Sequence, residues 1–207
     1  MANPTVHGPA YSTYARSVRL ALEEKGVPYT LKPIDIMGGQ RTPEHLALHP
    51  WGKVPAFDHD GFRIFETVAI NRYIDETFGG PKLQPGNAKD RARMTQAMSI
   101  LDSYGYPSMI TTVAIQRMFS PKADEQAIGK AMPDVERTMD ALENLIGEHT
   151  FLAGEEISLA DLHAVPIFEY FSQTPEGQAT LARHPKVAAW WGRVKERPTV
   201  KKTRPEL

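Results

Sequence analysis

The spacing of apolar and polar positions changes repeatedly over the first eighty residues. Thr5-Val6-His7 is a short β-prone run that Gly8-Pro9 breaks. Over residues 14–25, Val18, Ala21 and Leu22 recur at helical spacing until Gly26-Val27-Pro28 stops the pattern. Residues 29–36 are rich in strand formers. Val54-Pro55-Ala56-Phe57 and Phe62-Arg63-Ile64-Phe65 flank Asp58-His59-Asp60-Gly61, which predicts a hairpin with a four-residue turn. Residues 67–78 put Ile70, Tyr73, Ile74 and Phe78 on one helical face. The predicted order is β-α-β, a loop with a short helix, then β-β-α.

A glycine- and proline-rich stretch, residues 79–86, then predicts a domain boundary. Beyond it the period is helical throughout: Met94, Met98 and Leu101 share a face, as do Val135, Met139, Leu142 and Ile146. The expected architecture is an α/β domain over residues 1–80 and an all-α domain over residues 87–207. Pro133 and Pro166 fall in helical patterns, where proline is expected to kink or restart the helix. Ser158-Leu159-Ala160-Asp161 has the form of a capping box, with Ile157 and Leu162 placed as a hydrophobic staple. Its role is structural, and loss of Ser158 or Asp161 is expected to cost about 1 kcal/mol or more.

Composition narrows the chemistry. The chain of 207 residues has no cysteine, which excludes a disulfide framework, a thiolate metal site and a cysteine nucleophile. A net charge of −1 does not predict a general nucleic-acid binder. No apolar run approaches the roughly 18–20 residues of a membrane span, and the first residues lack the features of a secretory leader. A cytoplasmic protein is expected. The charge is nonetheless uneven: residues 183–207 carry a net +6 and the rest −7. Such a block ordinarily forms a solvated face.

Three loops carry candidate chemistry. Tyr11-Ser12-Thr13-Tyr14 precedes the first helix. One of these hydroxyls is expected to cap it, or to donate to an anion held at its positive end. Lys53-Val54-Pro55 heads a strand with a proline, and a cis bond is one way to accommodate that. Glu66-Thr67 opens the helix after the hairpin. It reads as a simple cap, or as a site for an amino-acid zwitterion, with the carboxylate on the helix end and the ammonium on Glu66. His45 and His49 are spaced i, i+4, but there is no HExxH pattern and no third ligand, so no metal is expected. Trp190-Trp191 reads as packing of a late helix.

All three loops fall at one end of the predicted sheet. The element order, Val54-Pro55, Glu66-Thr67 and the Ser158–Asp161 box resemble the cytosolic glutathione transferases, in a serine-type, phi-like form. The likeness spans nearly the whole chain and is strongest over residues 16–26, 49–57, 65–70 and 151–154. Gln40 and Val68 depart from the phi-type pattern, which often has histidine and arginine there.

The resemblance implies a thioredoxin-like N-terminal domain that binds glutathione and a helical C-terminal domain that forms the electrophile pocket. It also implies a homodimer. By position it makes Ser12 the activating hydroxyl, with Tyr11, Thr13 and Tyr14 as alternatives. Gln40, Arg41, Lys53, Val54, Pro55, Glu66 and Thr67 become the glutathione contacts. Tyr11, Tyr104, Tyr106, Met109, Met118 and Phe119 suit an adaptable apolar pocket. The implied function is conjugation of glutathione, as co-substrate, to small hydrophobic electrophiles. The alternatives are another glutathione-dependent activity (peroxidase, dehalogenase or isomerase) or a non-catalytic interaction module.

Overall fold

The changes of period resolve into β1 (Thr5–His7), α1 (Thr13–Glu24), β2 (Thr30–Lys32), α2 (Pro43–Leu48), β3 (Ala56–His59), β4 (Phe62–Phe65) and α3 (Thr67–Thr77). A computed structural model describes residues 3–36, 38 and 41–205. The four strands form one mixed sheet in the order β2-β1-β3-β4. β1 is parallel to β2 and antiparallel to β3, and β3 is antiparallel to β4. This is the thioredoxin-like arrangement.

The register brings His7, Ala56 and Phe65 into one row across β1, β3 and β4. β1 and β4 therefore point the same way, and the helices that follow them, α1 and α3, both start beyond that row. Val18, Leu22, Ile70 and Ile74 are fully buried. Asn71 Nδ2 donates to Ser17 Oγ at 2.9 Å, and each of these residues lies four positions into its helix. The two helix N-termini thus lie side by side.

The hairpin is tighter than its sequence suggests. β3 and β4 extend to His59 and Phe62, leaving Asp60-Gly61 as a two-residue turn with φ of 48° and 82°. Positive φ at both positions matches the twist of the flanking strands, and Asp-Gly adopts it at low cost. β2 is shorter than the β-prone run 29–36, because residues 33–36 leave the sheet.

The stretch read as a boundary is partly tied to the first unit. Lys25 Nζ is buried and donates to Asp75 Oδ1 at 3.0 Å and to the Pro81 carbonyl at 3.0 Å. Asp75 Oδ1 also accepts from the Leu83 amide at 2.8 Å. The chain accordingly divides at Leu83, and one compact unit comprises Met1–Leu83 with Pro198–Leu207. The second unit is Gln84–Arg197. Residues 198–205 therefore pack with the first unit and not with the helical domain that the sequence predicts for residues 87–207.

The second unit is helical. α4 (Ala88–Ile100) continues through a π-wound stretch, Leu101–Ala114, into α5 (Ile115–Met118). The Ile115 amide reaches back to the Ile110 carbonyl, an i→i−5 bond. Pro107 sits in the wide part, where it withholds one amide and would crowd an α-turn. α6 (Glu125–Ile146) runs through Pro133 and α7 (Leu159–Phe171) through Pro166, so neither proline restarts its helix. α8 (Pro175–Arg183) and α9 (Pro185–Val194) follow, and α10 (Pro198–Thr203) returns to the first unit.

Asp161 fixes the start of α7. Its carboxylate accepts from the Leu152 amide at 2.9 Å and from Trp190 Nε1 at 2.8 Å. It also accepts from the Ser158 amide at 2.8 Å and the Ser158 hydroxyl at 2.9 Å. Trp190 is fully buried. Three residues of the basic C-terminal block pair with carboxylates. Arg183 pairs with Glu136, Lys186 with Glu148 at 2.9 Å, and Lys202 with Glu23 at 2.7 Å. These three basic residues are thus met by carboxylates from other segments. No described helix is long and apolar enough to cross a membrane.

Candidate functional site

Immediately beyond the His7–Ala56–Phe65 row stand the three loops singled out from the sequence. Neighbouring strands are about 4.8 Å apart, so the row spans about 10 Å, roughly the length of an extended tripeptide.

At the first loop, Ser12 is the N-cap of α1. Its Oγ accepts from the Ala15 amide at 3.3 Å, and its carbonyl accepts from the Arg16 amide at 2.9 Å. The cap uses only a lone pair of the hydroxyl, so the O–H remains able to donate to an anion at the helix end. The two readings of this residue are therefore compatible. The alternatives are placed differently. Thr13 is buried in the first turn, at 6% exposure. Tyr11 points its phenol toward residues 35–36: burial and then the Asp35 carboxylate push it up, while the Ile36 amide opposes them. A phenol made less acidic is a poorer donor to a thiolate. Tyr14 is half-buried on α1.

Gly8 lets these pieces approach each other. Its φ is +157°, and a Cβ there would meet Ala15 Cβ at 3.0 Å and Val54 Cβ at 3.3 Å. The start of α1 and the second loop therefore close over a residue with no side chain. The Val54–Pro55 bond is cis. No described residue pairs with the backbone amide or carbonyl of Val54, which leaves both for an extended ligand strand.

At the third loop, Glu66 caps α3 with backbone only. It has φ 73° and ψ 113°, and its side chain makes no capping bond. A non-glycine residue held there costs on the order of 1–3 kcal/mol, the kind of strain that collects at ligand sites. The Ile70 amide takes the Glu66 carbonyl, and the three preceding amides of α3 face the helix end, where a carboxylate fits. The Glu66 carboxylate is mostly exposed and suits an ammonium. Thr67 is buried in the first turn.

Arg41 and Lys53 have no acidic partner among the described residues. The Arg41 stem lies over Gly52, where a Cβ would stand 2.3 Å from Arg41 Cδ. Gly52, at φ +57°, thereby leaves room for that side chain. Gln40 lies outside the described residues.

Two supporting residues were not read as part of this site from sequence. His45 Nε2 bonds the Lys53 carbonyl at 2.9 Å, anchoring the loop that carries Lys53 and Val54. His49 is buried, with Nε2 3.9 Å from Glu66 Oε1 and its ring 4.8 Å from that of Phe65. Their i, i+4 spacing was the available signal.

Burial holds the His49 imidazole below its ordinary 6.5, aided by His45 and Lys53 and opposed by Glu66. As pH falls past about 6.5, the unfolded chain takes a proton that the folded site resists, so stability is full above that pH and declines below it. Urea midpoints measured from about pH 8 to about pH 5 should show this acid slope, and His49→Asn should flatten it.

The proposed electrophile contacts are split between the units. Tyr11 belongs to the first, at 38% exposure, and the others to the second. Tyr104 and Phe119 are exposed, Tyr106 and Met118 half-buried. Met109 is fully buried and offers a ligand no surface as placed.

Comparison with known proteins matches both units. The family model "Glutathione S-transferase, N-terminal domain" covers residues 5–76, and "Glutathione S-transferase, C-terminal domain" covers residues 106–198. Glutathione S-transferase F10 of Arabidopsis thaliana is 35% identical over 202 residues, covering 93% of this chain and 92% of that protein. The crystal structure of poplar glutathione transferase F1 superposes with a TM-score of 0.87 at 31% identity, covering 98% of this chain and 97% of that one. Maize glutathione S-transferase I, in complex with an atrazine glutathione conjugate, gives 0.85 at 27% identity, covering 98% and 96%.

Proposed function

Because the chain belongs to the glutathione S-transferase family, we propose that it ionises the thiol of bound glutathione and transfers the thiolate to small hydrophobic electrophiles. The observation that carries this reading is the pair of adjacent helix N-termini beyond the His7–Ala56–Phe65 row. Glutathione brings two carboxylates, an ammonium and a thiol. The α3 amides and Thr67 would take the γ-glutamyl carboxylate, Glu66 the ammonium, and Arg41 and Lys53 the glycyl carboxylate. The backbone amide and carbonyl of Val54 would pair with the cysteinyl unit. Ser12 then faces the sulfur.

A free thiol has a pKa near 8.5, so little of it is thiolate at neutral pH. Lowering that value by about two units takes ~2.7 kcal/mol of preference for the anion. A hydrogen bond to a charged acceptor supplies roughly 1.5–3 kcal/mol, and the α1 dipole adds ~0.3–1 kcal/mol. The thiol proton leaves to solvent without a general base. The sulfur then forms a bond to the electrophilic carbon as the leaving group departs with its electron pair. With no cysteine in the chain, the only sulfur nucleophile is the ligand's. The maize relative's glutathione conjugate supports the same class of transfer here.

The proposal includes a homodimer working in the cytoplasm. Trp51, 68% exposed between α2 and β3, and Leu46, 42% exposed on α2, give the first unit an apolar surface for a second copy. One experiment tests the reading: titrate the protein with glutathione, assay turnover of a generic aryl halide, and measure mass by light scattering. Binding, conjugate formation and a mass of twice 23.1 kDa are expected. Binding without turnover across a panel of electrophiles would favour an interaction module. Turnover only of peroxides would favour the peroxidase alternative.

A further inference from the structure

The sequence gives no hint that α10 belongs with the first unit, and all but its first residue lies beyond residue 198, where the second family match ends. In the structure it grips α1 at both ends. Arg16 is 1% exposed. Its Nη2 donates to the Val200 carbonyl at 3.1 Å and its Nε to Thr203 Oγ1 at 3.4 Å. The Thr203 hydroxyl donates back to the Thr199 carbonyl at 3.0 Å, and both Val200 and Thr203 are fully buried. At the far end of α1, Thr199 Oγ1 donates to Glu24 Oε1 at 2.5 Å and Lys202 Nζ to Glu23 Oε2 at 2.7 Å.

Arg16 is also the residue whose amide bonds the Ser12 carbonyl, the first bond of α1. Its guanidinium is a rigid fork with little freedom once buried. A link therefore runs from the Val200 carbonyl and Thr203 hydroxyl, through Arg16, to the backbone of Ser12. We propose that α10 is a positioning strap for the glutathione site, with Arg16 and Thr203 as positioning residues that set where the Ser12 hydroxyl stands. This rests on the reading of Ser12 as the activating group. A donor displaced by a fraction of an ångström stabilises an anion far less well, so a clamp some distance from the sulfur still affects the chemistry.

The test uses the full chain with Arg16→Met, Thr203→Val and Thr203→Ser, and Ser12→Ala alongside. Each is loaded with glutathione, and the thiolate is titrated by its ultraviolet absorbance. Arg16→Met is expected to raise the apparent thiol pKa by about half a unit or more, with a several-fold loss of kcat at about pH 6.5 that recovers at about pH 9. Thr203→Val should shift in the same direction by less, and Thr203→Ser, which keeps the hydroxyl, should match the parent. If Arg16→Met does not fold, the Thr203 pair decides. A merely structural strap would lower the melting temperature and leave the thiol pKa in place. That result, with Ser12→Ala still shifting the pKa, would overturn the proposal. If Ser12→Ala also leaves the pKa unmoved, the Ser12 reading itself fails and the strap falls with it.

Discussion

Ser12→Ala is expected to lower kcat/KM by roughly 10- to 100-fold near pH 6.5, the equivalent of about 1.5–3 kcal/mol for a hydrogen bond to a charged group. The loss should shrink toward about pH 9, where hydroxide ionises the thiol without help. Ser12 also caps α1 through the Ala15 amide, so alanine should cost about 1 kcal/mol of stability as well. Ser12→Thr separates the two effects, since it keeps a capping oxygen and a donor. It should retain most of the activity. A pH-independent loss in Ser12→Ala would indicate disturbed binding of glutathione and no role in ionising it.

Asp161→Ala is expected to be the most damaging substitution for stability. The carboxylate serves two amides, a hydroxyl and an indole N–H in a fully buried setting. Burial pushes its pKa up, and the four donors push the other way. Removing it strands four donors, each worth about 1–3 kcal/mol but not additive, for a net loss of about 3–5 kcal/mol. Against a typical stability of about 5–15 kcal/mol this is a large fraction. The melting temperature should fall by about 6–20 °C. Asp161→Asn keeps the shape and one acceptor oxygen, so it should fall between the two. A melting temperature within about 2 °C of the parent would mean that the network contributes little net stability.

The fold was legible where a period was long enough to count. α1, α3 and α6 announce themselves through Val18 and Leu22, Ile70 and Ile74, and Val135, Met139 and Leu142, because each buries one face against a neighbour. The capping box was readable because its geometry is local, four residues long. Its reach was not: Leu152 and Trp190 join Asp161 from elsewhere in the chain, and no local pattern marks a tryptophan as a partner of a distant carboxylate. The hairpin turn was misjudged by two residues because His59 continues the strand pairing while Asp60-Gly61 alone makes the reversal. The π-winding of residues 101–114, which contain Pro107, is a matter of hydrogen-bond register that spacing does not report.

The candidate site was legible to the same degree. Three loops could be placed at one end of a sheet from element order, since a β-β-α unit returns its helix to the end where β1 finished. What spacing could not supply was the backbone. Glu66 at positive φ, a Val54 backbone that no described residue pairs, and Gly8 as the contact between Val54 and the start of α1 all depend on φ, ψ and register. Nor could it choose among Tyr11, Ser12, Thr13 and Tyr14, which differ in where each hydroxyl points. The role of α10 was hidden for a related reason: Val200 stands 184 residues from Arg16.

On this reading a hydroxyl at the start of α1 ionises a thiol that the protein itself does not possess. The most direct measurement is the thiolate absorbance of bound glutathione, titrated with pH in the parent and in Ser12→Ala. The parent should show an apparent pKa about two units below the free thiol's value near 8.5, and Ser12→Ala should move most of the way back. Equal pKa values in the two proteins would contradict it.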